Sequence, residues 1–139
     1  MKATVLRATA ILAIVMGLTM ISVHAQGTPE TQTYVVPFEF SVGNRVLPAG
    51  EYTVSDRAPV VKVESKDGKH TVYLLPSSTL GTAKRYSQAK LTFRRDGEQY
   101  SLAQVWWSDG KGRQFRQKRQ AQGEVAQNVS TVDIVAATR

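Results

Sequence analysis

Three dipeptides, Gly43-Asn44, Asp67-Gly68 and Asp96-Gly97, stand between short runs in which apolar and polar residues alternate, and this combination constrains the fold most. Gly, Asn and Asp tolerate the positive φ of tight hairpin turns, and an alternation with period two lays the apolar residues on one face of a strand. Val36, Phe38, Phe40 and Val42 alternate with Pro37, Glu39 and Ser41. Pro37 has no amide to donate, so this run is expected at a sheet edge or at the entry to one. A two-residue loop at Gly43-Asn44 sets Phe40 opposite Leu47. Counting outward from Asp67-Gly68 pairs Ser65 with His70, Val63 with Val72 and Val61 with Leu74, with Lys66 and Lys69 unfavourably opposed beside the turn. The same count at Asp96-Gly97 pairs Arg95 with Glu98, Phe93 with Tyr100 and Leu91 with Leu102. A fourth dipeptide, Asp109-Gly110, fails this test because it opposes Trp107 to Gly112 and Trp106 to Arg113, so it reads as the mouth of a loop.

Between these hairpins, Leu47-Pro48-Ala49-Gly50 has the Pro and Gly positions of a type I turn, and Glu51 to Ser55 makes a short strand broken over Asp56 to Pro59. Ser77 to Gln88 is a polar connection containing Gly81 and the pair Lys84-Arg85, long enough to suggest a functional or mobile segment. After Gly112 the chain becomes rich in Gln and Arg, which predicts a polar helix interrupted near Gly123 or a disordered arm over Arg113 to Gln127. Val129 to Ala137 returns to strand character, with Val132 and Ile134 on one face. The expected fold is mainly β: one small antiparallel sandwich or barrel of five to seven strands over residues 34–139, including a polar basic segment at 111–127 and preceded by a loose lead-in at 26–33.

Residues 1–25 read as a secretory signal peptide. Lys2 and Arg7 precede an apolar or small stretch from Ala8 to Val23, and Val23-His24-Ala25 resembles a cleavage site before Gln26. The apolar stretch is shorter than the roughly 20 residues a membrane helix needs, so no transmembrane span is expected after cleavage. A periplasmic or secreted bacterial protein is the corresponding expectation. The chain has no cysteine, which removes disulfides, thiolate metal sites and a cysteine nucleophile. Loss of the leader leaves 16 of the 18 Lys and Arg against all 11 acids, a formal charge of about +5. Such a balance favours anionic partners, and export makes envelope glycan or lipid the expected class and nucleic acid an unlikely one. Asn128-Val129-Ser130 matches a glycosylation sequon and reads as a chance occurrence.

Catalytic chemistry finds little purchase. After cleavage His70 is the one histidine, so a His-based metal cluster is excluded, and no nucleophile elbow accompanies it for a Ser-His-Asp arrangement. Glu39, Glu51, Glu64 and Glu98 lie on or beside strands, on the face expected to meet water. Gly110-Lys111-Gly112 lacks the remainder of a phosphate-binding loop. No cofactor or metal is expected. The basic run Lys111, Arg113, Arg116, Lys118 and Arg119 is the strongest charge feature, although neither helix nor strand geometry collects it on one face. Trp106 and Trp107, being adjacent, must face opposite ways on a strand. Trp106 shares parity with Tyr100 and Leu102 and is expected in the core, which leaves Trp107 exposed beside the Ser108 to Gly112 loop, where it can stack on a sugar or anchor a partner.

Phe38-Glu39-Phe40-Ser41-Val42-Gly43 leading into Leu47-Pro48-Ala49-Gly50-Glu51-Tyr52-Thr53-Val54, together with Leu102-Ala103-Gln104-Val105-Trp106 and its Gly-rich turn, resembles a group of small exported bacterial proteins of uncharacterised function. The L-P-A-G-x-Y-x-V element also resembles a strand pair of carboxypeptidase-regulatory-like and immunoglobulin-like sandwich domains. Neither resemblance implies a catalytic residue. The expected function is non-catalytic binding in the envelope, with Trp107, Arg113 and Arg116 as the ligand-binding residues and Lys84 and Arg85 as a second surface. The alternatives are an envelope-glycan hydrolase and an assembly subunit that recruits another protein through the Pro37-bearing strand or the strand before Pro76.

Overall fold

The computed structural model describes residues 29–118 and 129–138. The expected leader and most of the Gln-rich segment lie outside the described residues. Among the described residues eleven strands form two sheets. The first holds β1 (Thr31–Val36), β4 (Gly50–Arg57), β5 (Val60–Ser65) and β6 (Thr71–Leu74) in the order β1-β4-β5-β6. The second runs β11 (Val129–Val135), β8 (Lys90–Asp96), β9 (Gln99–Trp106), β10 (Lys111–Gln114) and β7 (Ser78–Gly81), with the short hairpin of β2 (Phe40–Val42) and β3 (Arg45–Leu47) attached to β9. All pairings are antiparallel except the single β2–β9 bridge, Ser41 to Ser101. The expectation of five to seven strands is therefore corrected to eleven, in two sheets without barrel closure, and no helix occurs among the described residues.

One core joins the sheets. Tyr34, Val36, Tyr52, Val54, Val61 and Val63 of the first sheet meet Phe40, Leu91, Phe93, Leu102, Val105 and Trp107 of the second. Phe40 is the hub, edge-on to Tyr52 at 5.1 Å and to Phe93 at 5.2 Å. The run from Val36 to Val42 is two strands rather than one. Val36 ends β1 at the edge of the first sheet, and Phe40 opens β2 in the second. Pro37, unable to extend the ladder, stands at this crossing. At the opposite end of the chain the Ala137 amide donates to the Thr33 carbonyl at 2.8 Å, which ties the exit of β11 to the edge strand β1.

Two hairpins have the expected register. Phe40 faces Leu47, and Val61 and Val63 face Leu74 and Val72. The opposed lysines are drawn apart by separate carboxylates, Lys66 to Glu51 at 2.8 Å and Lys69 to Asp67 at 4.0 Å. The Asp96-Gly97 hairpin differs. Its loop is Gly97-Glu98, which pairs Asp96 with Gln99, Arg95 with Tyr100 and Phe93 with Leu102. This register puts the buried Phe93 and Leu102 opposite one another and leaves Tyr100 to stack on Phe38, 3.8 Å between centroids.

Asp109-Gly110 closes a hairpin after all. Its loop has three residues, so Trp106 pairs with Gly112 and Arg113 with Val105, and the Trp107 amide bonds the Lys111 carbonyl at 2.9 Å. The Trp106 indole covers Gly112 so closely that a Cβ there would lie 2.8 Å from the ring. β10 in turn pairs with β7, so Lys111–Gln114 and Ser78–Gly81 are strands where an arm and a loop were expected. These polar strands show no apolar alternation, because their side chains contribute little to the core.

Candidate functional site

The site grows from an irregularity in β9. Thr92 pairs with Gln104 and Phe93 with Leu102, so Ala103 is an extra residue, a β-bulge. On its other side β9 meets β10 over Gln104–Trp106 and β2 at Ser101, leaving the edge between them without a strand. The chain beyond β10 fills that gap. The Phe115 amide donates to the Ala103 carbonyl at 2.9 Å, and buried Phe115 anchors the segment. Gln117 then uses its side chain as a substitute for backbone: Nε2 donates to the Leu102 carbonyl at 3.0 Å, and Oε1 accepts from Ser101 Oγ at 2.7 Å.

Pinning Gln117 sets its neighbours Arg116 and Lys118 beside a groove of about 280 Å³. Arg94 and Asp96 of β8, Gln99 to Ser101 of β9 and Ser41 of β2 complete its lining. None of Arg94, Arg116 and Lys118 forms an ion pair among the described residues. Three cations, none in an ion pair among the described residues, against the single carboxylate of Asp96 leave this concave polar surface with a net positive field that attracts an anion. A larger hollow of about 550 Å³ lies along β1 and the exit of β11, but hydroxyl, amide and alanine groups line it. With no charged or aromatic group it offers little to orient a ligand.

The sequence-predicted residues separate into three fates. Arg116 lines the groove. Arg113 does not: its guanidinium joins the two sheets, donating to Asp56 Oδ2 of β4 at 3.0 Å and to Thr79 Oγ1 at 2.7 Å, and so is held in a structural bridge. Lys84 and Arg85 are exposed in the β7–β8 connection, which is fastened to the β9–β10 turn by the Thr82 amide on the Gly110 carbonyl and the Tyr86 amide on the Ser108 carbonyl. They lie outside the groove lining. Arg119 lies outside the described residues.

The tryptophans exchange their expected places. Trp107 is 1% exposed, whereas Trp106 is only half-buried, edge-on to Tyr86 at 5.5 Å with its Nε1 donating to Gln104 Oε1. Parity fails because the bulge at Ala103 inserts one residue, so that Leu102, Val105 and Trp107 all reach the core. Reading from residues alone missed Arg94, which lies on a strand remote in sequence, and named Lys118 only as part of the basic run, since its place at the groove depends on Gln117.

No group of three or more metal-ligating side chains occurs among the described residues, and no helix there is long and apolar enough to cross a membrane. Glu51 and Glu64 pair with Lys66 and Lys62. One carboxylate is perturbed upward: burial raises Glu30, the nearby charges of Asp109 and Asp56 add to the effect, and Lys111 opposes it. Folded protein thus holds this proton more tightly than unfolded protein, and stability falls as pH rises from 4.5 through the raised value. Glu30→Gln is expected to remove that loss, so the Tm of the variant should gain on the parent between acid and neutral pH. Parallel Tm curves for the two proteins would refute the assignment. Asp133 acts in the opposite sense. Burial disfavours its charge, but hydrogen bonds from Lys90 and Thr92 and the Lys90 charge outweigh this and lower it, so its contribution is lost as pH falls through the lowered value.

Comparison of the chain with protein families, with curated proteins and with solved structures finds no match.

Proposed function

We propose that this is an exported, non-catalytic binding protein that holds an anionic ligand of the cell envelope in the groove between Arg94, Arg116 and Lys118. The observation carrying this reading is the set of three cations, unpaired among the described residues, around one polar groove. The export reading rests on the N-terminal leader and on the resemblance to small exported bacterial proteins, and it agrees with the absence of cysteine. Trp107 supplies core rather than a stacking face, and Arg113 acts through the sheet-to-sheet bridge that holds β10 and the segment after it.

Acidic oligosaccharides, anionic vesicles and a short DNA duplex titrated against the purified protein test this reading. Exposed ionic contacts are worth about 0.5–1 kcal/mol each, so R94A/R116A/K118A should weaken binding on the order of 10- to 100-fold. The affinity of the parent should fall with added salt. Binding that survives all three substitutions would remove the groove from consideration.

A second reading has its own support. β6 is an edge strand with exposed Tyr73 and Leu75, a surface suited to strand addition by a protein partner. Concentration-dependent association abolished by Tyr73→Lys would favour it.

A further inference from the structure

One edge of the first sheet belongs to β6, which pairs with β5 alone. The Ser65 amide donates to the His70 carbonyl at 2.8 Å, which makes these two a hydrogen-bonded pair. Such pairs alternate along an antiparallel ladder, so Val72 and Leu74 turn their backbone groups towards Val63 and Val61, while Thr71 and Tyr73 turn theirs away from the sheet. Leu75 continues the alternation, because a residue before proline is held extended. None of Thr71, Tyr73 and Leu75 makes a backbone bond to a turn or loop among the described residues. By the same parity the Thr71 and Tyr73 side chains share the outer face with their partners Glu64 and Lys62, and Tyr73 and Leu75 are 62% and 73% exposed. Sheets guard open edges with charge, proline or cover. Here β3 carries Arg45, β11 carries Asp133, β1 is bonded by the Ala137 amide, and β7 shows no large exposed apolar side chain. Thr71 to Leu75 has none of these guards, and no charged residue occurs from Thr71 to Gly81.

Resting on the strand-addition reading above, we infer that the occupant of this edge is a second copy of the chain, its β6 antiparallel to the first across a two-fold axis at Tyr73. A two-fold axis opposes the strand to itself, so a charged strand would confront its own sign, and this strand has no charge to oppose. In this register Tyr73 exchanges both backbone bonds with Tyr73 of the second copy, and Thr71 exchanges both with Leu75 of the second copy. The same pairs meet on the outer face, where two tyrosines cover one another and each leucine covers a threonine methyl. An axis at Val72 would oppose Lys69 to Leu75 instead, and the Lys69 amide is already committed to Asp67 Oδ1 at 3.0 Å. The axis at Tyr73 therefore satisfies more backbone and covers more apolar surface. It joins the two copies of the first sheet into one continuous sheet. A contact of this length buries less than a standard interface, so the dimer is weak, with a Kd on the order of 100 µM.

Sedimentation, amide exchange and cysteine cross-linking of the purified protein test this together. The parent should pass reversibly from monomer to dimer as its concentration rises, and the Thr71 and Tyr73 amides should exchange more slowly as the dimer fills. The chain has no cysteine, so single substitutions report the register. Tyr73→Cys places its Cα about 5.5 Å from its copy, within the reach of a disulfide. Thr71→Cys stands about 14 Å from its own copy and should cross-link about tenfold more slowly or not at all. Neither side chain belongs to the buried core, so both variants should fold as the parent does, which circular dichroism would verify. Equal cross-linking of the two variants, or a dimer in which Tyr73→Cys fails to cross-link, would overturn the two-fold pairing. A parent that stays monomeric at every concentration would overturn the second copy as occupant and leave the edge to a strand of another protein. Association without protection of the Thr71 and Tyr73 amides would overturn β6 as the surface, and the strand-addition reading with it.

Discussion

Trp107→Ala will cost the protein about 3–5 kcal/mol of folding stability, the range for emptying a fully buried tryptophan site. Trp107 heads the largest fully buried side chains, and its neighbours cannot collapse freely, because it sits where β9 turns into β10 and its amide is tied to Lys111. A domain of this size has about 5–15 kcal/mol to lose, so the variant should be near unfolding at physiological temperature. Trp107→Phe should cost much less. It keeps an aromatic ring in the core and deletes an indole N–H that finds no acceptor among the described residues. Urea denaturation of both variants checks the prediction, with indole fluorescence of a Trp106→Phe protein as a second readout, since a buried Trp107 should resist aqueous quenchers. A Trp107→Ala loss below about 0.5 kcal/mol would mean an exposed side chain and would remove the bulge that turns it inward.

Gly110→Ala is the second large effect, and it works through backbone. Gly110 has φ of +89°, where a Cβ is strained, and the added methyl would lie 2.7 Å from the Thr82 carbonyl oxygen and 2.9 Å from that of Lys84. Left-handed backbone alone costs roughly 1–2 kcal/mol. Relieving the clash must also push away the β7–β8 connection, with its bonds from Thr82 to Gly110 and from Tyr86 to Ser108. We expect a total near 3 kcal/mol and a Tm lower by about 10–20 °C. Gly68→Ala is the control: its φ is +72° but nothing lies within 4 Å of the added Cβ, so only the backbone strain should appear. Equal losses at the two glycines, read by thermal denaturation, would show that the packed connection contributes nothing.

Legibility in the residues varied with how local the physics was. The turns at Gly43-Asn44 and Asp67-Gly68 and the registers they impose depend on a few neighbouring residues, and alternation on both flanks confirms the count. At Asp96-Gly97 two registers both oppose apolar residues. The choice fell to Phe38, which is distant in sequence and takes Tyr100 as its stacking partner. Strands β7 and β10 carried no apolar pattern, since their polar side chains contribute little to the core, and β7 is held by the backbone of β10 and β10 by the backbones of β7 and β9. The bulge left a trace that is easy to misread, a change of apolar parity between Leu102 and Val105.

For the candidate site the division is sharper. Arg116 stood out in the basic run, but the same run suggested Arg113, which the structure commits to Asp56. Charge alone cannot separate a free cation from a paired one.

Composition and local periodicity were sufficient for a cysteine-free, mainly β chain with named hairpins and a positive balance, because turn preference and alternation act over a few residues. Which tryptophan is buried, which arginine is held in an ion pair and where a groove opens depended on one extra residue in β9, on a glutamine side chain replacing a strand and on the meeting of the two sheets. Those are contacts between segments far apart in the chain, which local turn preference and alternation cannot encode.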